Sequence, residues 1–394
     1  MSERRGQRPG APEPGAIMTR PREAAREEAE DDGISSILRR SLKEAIARWA
    51  VRSRAPRPSW LRPQDEALHP WDGRRHYAED YTFVGVLREL AVVVRLEWLP
   101  GRESHRLWVI VFEEDGVYAL PGSGQQIVRG AGGGLWRVGG LTIDCDEPFA
   151  RWTIGYRGKL DRRGADGRPR IEDGADAPAL VREECRIDLT FLAEEQPFVP
   201  GTDDDADLLS RHLGDASWDA RLLRGLRRRQ SRSYVQVGEL AGTIAIGERL
   251  LAIDAAALRM HSWGVRDWGG SDRALHCFIA EGKRPRLWVH RARFPWLTLE
   301  GGFVVGPQGL EPVRDLGVTV ERRPAGAPRR VGLDLETSDA HGVAVEGEAI
   351  SELSLDMDGR GRLELAFIRV GKEGAGIWVG QRRTLPRPDD RSSG

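Results

Sequence analysis

A chain of 394 residues is too long for one ordinary domain, and two or three are expected. Hydrophobic residues make up 40% and charged residues 31%, with a formal net charge of -1, which excludes a global field drawing the chain to nucleic acid or an anionic membrane. The N-terminus lacks the apolar core of a signal peptide, no window reaches the ~20 apolar residues of a membrane span, and Cys145, Cys185 and Cys277 form neither a CxxC pair nor a disulfide framework, so the expected location is the cytoplasm.

In chain order, residues 1–33 carry almost no large apolar side chains and are expected to be a disordered tail. In ISSILRRSLKEAIARWAVRSR, Ile34, Ile37, Leu38, Leu42, Ile46 and Trp49 recur at helical spacing, which predicts a helix docked on its own core by one apolar stripe. APRPSWLRP ends it, making 34–68 a helix and Pro-rich linker. From 69 to 199, YTFVGVL, LAVVVRLEWL, HRLWVIVFEE, RWTIGYRGKL and RIDLTFLA read as short strands separated by turns, a first β domain built as a meander, sandwich or barrel. Residues 200–232 run from acidic to basic, and Leu208, Leu209 and Leu213, then Leu222, Leu223 and Leu226, predict a short helical bridge. Strands resume over 233–386 as a second β domain, and 387–394 is a further disordered tail. The fold class is therefore all-β, in two antiparallel domains.

Chemistry-bearing motifs are mostly lacking. GSGQQIVRGAGGGLWRVGG fails GxGxxG in register, has no GK[ST] and leads into a strand, where a phosphate loop needs a helix N-terminus. There is no GxSxG, no HExxH and no Cys/His spacing suited to zinc; no metal and no cofactor are expected. HSWGVRDW, residues 261–268, is the exception. On an extended strand His261, Trp263, Val265 and Asp267 share one face, and Ser262, Arg266 and Trp268 the other, with Gly264 allowing a close backbone approach. Two readings stay open on residue types alone. Either His261 and Trp263 line a pocket with Arg266 and Asp267 at its rim, or the tryptophans are core, His261 is hydrogen-bonded and Arg266 makes a structural ion pair.

With SYVQVGELAGTIAIGE, HCFIA and GGFVVG, the HSWGVRDW string resembles the superfamily of AttH-like proteins and carotenoid 1,2-hydratases (hydroxyneurosporene synthases), nearest to a bacterial branch of unknown function. The resemblance spans roughly residues 70–385 and implies two lipocalin-like β-barrels with an apolar cavity near the HSWG strand. It implies a bulky apolar small molecule (lipid, terpenoid or polyketide-like) as partner, His261 as the candidate catalytic residue, and Trp263, Arg266, Asp267, Trp268 and His290 as ligand contacts. Relatives commonly carry an Asp before the histidine; here that residue is Met260, which cannot orient the imidazole, and RLWVHRARF offers only His290 as a titrating group. Binding is thus expected ahead of chemistry, with a hydratase-type lyase or isomerase using His261 and a ligand-free interaction module as alternatives. The oligomeric state is left open.

Overall fold

The computed structural model describes residues 40–49, 61–130, 136–173, 178–219, 231–266, 273–282, 286–294, 297–323, 327–357, 359 and 361–383. Two helices appear among them, α1 (40–49) and α2 (Ala206–Asp215). The strands of the first half are β1 (Tyr77–Val86), β2 (Leu90–Leu99), β3 (Ser104–Glu113), β4 (Gly116–Ala119), β5 (Gln126–Arg129), β6 (Arg137–Val138), β7 (Leu141–Glu147), β8 (Arg151–Gly164), β9 (Ile171–Asp173), β10 (Pro178–Leu180), β11 (Arg182–Ala193), β12 (Arg232–Ile246) and β13 (Arg249–Val265). Those of the second half are β14 (Arg273–Glu281), β15 (Arg286–Phe294), β16 (Leu297–Gly306), β17 (Gly309–Arg322), β18 (Pro328–Thr337), β19 (Gly342–Asp356), β20 (Gly361–Val370) and β21 (Gly374–Arg383).

The fold is all-β, as the strand periodicity predicts. In the first barrel the order β11-β12-β13-β1-β2-β3-β4-β8 closes on itself through β8–β11, while β5, β6 and β7 lie off that ring. β14 to β21 close the second barrel in sequence order. Neighbours pair antiparallel, so inward and outward residues alternate along each stave. One correction concerns the domain boundary. β12 and β13, expected in the second domain, complete the first barrel: Tyr77 of β1 pairs with Val265 of β13. Alternation marks a strand but carries no information about its partner.

The lumen of the first barrel is filled by Phe83, Val94, Leu107, Trp152, Ile187 and Leu240 among others. Leu275, Cys277, Val289, Val331, Leu333 and Trp378 fill the second. A further core lies between the barrels, where Val84, Val93, Trp108 and Phe112 on the outer face of β1–β3 meet Phe278, Trp288, Leu365 and Ile377 on the outer face of the second barrel. Here both sides of β1 and β2 are covered, so the two strands are buried almost throughout.

α2 is N-capped by Asp205, whose carboxylate accepts from the Asp207 and Leu208 amides at 2.9 and 2.8 Å. The second helix expected in the bridge, the tails 1–33 and 387–394, and the start of the N-terminal helix lie outside the described residues. α1 docks in a way the sequence does not foretell. Its polar side meets α2, through Arg40–Asp215 at 2.6 Å and Arg48–Asp207 at 3.1 Å, while Leu42, Ile46 and Trp49 of the apolar stripe are exposed. Gly214 lets the α1 backbone approach, since a Cβ there would meet Glu44 at 3.1 Å. No helix of the described residues is long and apolar enough to cross a membrane.

Candidate functional site

β13 and β1 have two different environments on their two faces, and the HSWGVRDW stretch contributes to both. Facing the lumen end of the first barrel, His261 is fully buried and stacks on Tyr81 at 4.0 Å between ring centroids. Its Nε2 lies 3.1 Å from Glu79 Oε1 and its Nδ1 3.3 Å from the Tyr234 hydroxyl. Glu79 also faces His69, with Nδ1 at 3.0 Å, and accepts from the Tyr77 hydroxyl at 3.2 Å. Trp263 is buried beside this group and stacks on His69 at 4.1 Å. Below them Arg259 grips Glu66 through two bonds of 2.7 Å and donates to Gln236 at 2.9 Å, and Tyr234 donates to the same Glu66. Glu66 ends the 3-10 turn Pro63–Glu66 that covers this end of the barrel.

Burial pushes His261 below its ordinary value, and the Glu79 contact counters that without overturning it. Burial alone would raise the Glu79 carboxyl, but the bonds with His261 and His69 outweigh it and hold the group low. The orienting carboxylate that position 260 lacks is supplied by Glu79, across the strand pair from Trp263 and next to the Tyr81–His261 pair.

The opposite face of the same strands looks into a cavity of about 890 Å³ between the barrels. Its floor is apolar, from Val84, Val93, Trp108, Leu258, Phe278 and Leu365. One wall is charged. Asp80 of β1 lies directly opposite Glu97 of β2, a repulsive register offset by arginines. Arg95 lies 3.4 Å from Asp80 and 2.9 Å from Glu97; Arg106 lies 3.1 Å from Glu97. Arg266 joins both carboxylates, hydrogen-bonding to Asp80 and reaching Glu97 at 2.7 Å. Ser262 donates to Asp80 at 2.5 Å. The arginines hold the Asp80 carboxyl far below its ordinary value although it is buried.

The other wall is an aromatic stack on β14 and β15. His276, Trp288 and His290 form a triangle of near-parallel rings, with centroids 5.9 Å (His276–Trp288), 4.9 Å (Trp288–His290) and 6.4 Å (His276–His290) apart. Among the described residues, the buried atoms Trp288 Nε1 and His276 Nδ1 have no hydrogen-bond partner. His290 Nε2 lies 3.5 Å from Asp204, which also accepts from the Gly302 amide at 3.1 Å and so ties the bridge to β16. Burial, with His290 and Arg95 nearby, lowers His276 to about 3.

Of the six residues named from sequence, Arg266 and His290 border the cavity together, and His261 and Trp263 sit on the other side of the sheet. The expectation that His261 and Trp263 line this pocket is corrected accordingly. Asp267 and Trp268 lie outside the described residues. Val265, expected on the His261 face, borders the cavity beside Arg266. Gly264 has φ +115°, a conformation other residues rarely adopt, and the strand's alternation breaks there. Sequence reasoning missed Glu79, Asp80, Arg95, Glu97, His276 and Trp288. The available signal was YAEDYTF, two adjacent acids inside a strand with no turn residue around them.

A comparison with curated proteins finds no match. Solved structures similar to this chain include an AttH candidate protein from Nitrosomonas europaea (11% identity, TM-score 0.49, covering 83% of this chain and 97% of that one). They also include CghA with Sch210972 (11%, 0.42, 79% and 89%) and kievitone hydratase from Nectria haematococca (9%, 0.43, 78% and 89%). The sequence profile of DUF7064, a domain of unknown function, matches residues 62–378. With most of both barrels inside that match, the chain belongs to the DUF7064 family.

Proposed function

We propose that this protein binds a bulky, largely apolar small molecule carrying one or a few oxygen functions, in the cavity between its barrels. The observation that carries this reading is the cavity's composition: about 890 Å³, mostly apolar, with Asp80, Arg95 and Arg266 on one wall. A ligand with an apolar body would fill this space and turn its oxygen functions to that wall. The arginine–carboxylate wall, its members fixed by one another, supplies a rigid polar rim.

A hydratase-type reaction using His261 has less support. The imidazole is fully buried and on the opposite face of β13 from the cavity, so a ligand seated there does not touch it. The alternative of a ligand-free interaction module predicts an empty, unselective cavity.

The test is mass spectrometry of small molecules extracted from the purified protein, paired with displacement of an environment-sensitive apolar dye. A copurified amphiphile that displaces the dye from the native chain, but not from a Met260→Trp variant in which the cavity is filled, is expected. A native chain that binds neither would refute the reading.

A further inference from the structure

The geometry points to a divalent transition-metal site, distinct from the inter-barrel cavity, formed by His69, Glu79 and His261. One donor atom from each lies within 4.8 Å of the others. Both histidines aim a nitrogen at one oxygen: His69 Nδ1 is 3.0 Å and His261 Nε2 3.1 Å from Glu79 Oε1. Ligands of a tetrahedral ion bound at about 2.1 Å stand about 3.4 Å apart, so the two nitrogen–oxygen edges would have to open by a few tenths of an ångström, while the edge between the two imidazole nitrogens lies within 4.8 Å.

The second nitrogens are held as metal-ligating histidines usually are. His69 Nε2 lies 3.4 Å from Asp65 Oδ1, and His261 Nδ1 lies 3.3 Å from the Tyr234 hydroxyl. Ring orientation is fixed as well, with His69 stacked on Trp263 and His261 on Tyr81.

Two imidazoles and one carboxylate suit Zn²⁺ or a similar first-row ion with a position left for water or another ligand. His69 is the partly exposed member and marks the side of entry.

The experiment uses the full, tag-free chain, stripped with a chelator and then titrated separately with Zn²⁺ and Co²⁺. Expected are about one ion bound per chain and the visible ligand-field bands of low-symmetry Co²⁺. His69→Ala, at a partly exposed position that should leave the fold intact by circular dichroism, is expected to bind at least roughly 100-fold more weakly and to lose the bands. Asp65→Asn should weaken binding roughly 10-fold. A native chain that takes up neither ion, or a folded His69→Ala variant that binds as tightly as the native chain, would overturn the inference.

Discussion

Glu79 and Asp80 are adjacent in sequence and belong to two separate polar networks on opposite faces of β1. Glu79 is bonded to His69 and His261 at the lumen end of the first barrel, and Asp80 to Arg266, Ser262 and Thr82 beside the inter-barrel cavity. They share no partner among these contacts. Asp80→Asn leaves buried arginine charge undercompensated and is expected to cost roughly 3–5 kcal/mol. Combined with Glu79→Gln, the loss should be close to additive in urea unfolding. A strong coupling energy would contradict the separation of the two faces.

Trp263 and Trp288 should differ in their effect on binding. Trp263→Ala removes a buried ring from the far side of the cavity; it should cost roughly 3–5 kcal/mol while the folded fraction keeps its dye affinity. Trp288→Phe keeps an aromatic ring at the cavity wall but truncates a fully buried indole, so it should cost roughly 1–3 kcal/mol. Unlike Trp263→Ala, it should also weaken binding of the extracted molecule by the folded fraction, measured by calorimetry, because it reshapes the cavity wall.

His276 sets a pH dependence whose sign is fixed by the lowered value of about 3. The unfolded chain takes up this proton near pH ~6.5 and the folded chain only near 3. Its contribution to stability is therefore fully present above about 6.5 and is lost as pH falls from there toward 3. The groups that face it are His290, Arg95, Asp80 and Arg266. His276→Phe should flatten the acid limb of a stability–pH curve; an unchanged limb would show that His276 is not responsible.

Gly264 sits at φ +115°, where a Cβ is strained. Gly264→Ala should cost roughly 1–3 kcal/mol and disturb the reach of Arg266 to Asp80 and Glu97. Thermal unfolding alone and in combination with Arg266→Met would check this: the two effects should overlap, since one position aims the other.

Much of the fold was legible because alternation in stretches such as RWTIGYRG records which strand faces are covered. Pairing was not legible: nothing local in SYVQVGEL says that it lies between β11 and β13. Nor does α1 follow its stripe, because Arg40 and Arg48 found acids on α2. The motif reading grouped His261 with Trp263 correctly as one face. It could not tell which side of that strand held the cavity, because β1 and β13 are covered on both sides, and burial on both sides erases the polar alternation that marks an exposed face. Asp80 and His276 were invisible for another reason: their meaning comes from residues hundreds of positions apart meeting across the barrel interface.

The pairing of β1 with β13 bears on how the chain is made. Emerging from the ribosome, β1 to β11 form a sheet with two staves missing, and the open edges of β1 and β11 stay unsatisfied until residue 265 has been synthesised. The bridge with α2 is translated inside this gap, so cleavage there would not release two autonomous halves. It would leave an N-terminal fragment prone to edge-to-edge association and a C-terminal fragment bearing two orphan strands. Mixing such fragments would restore the closed ring only by complementation, and slow, non-local closure of the first barrel is the step at which a chaperone would be of most use.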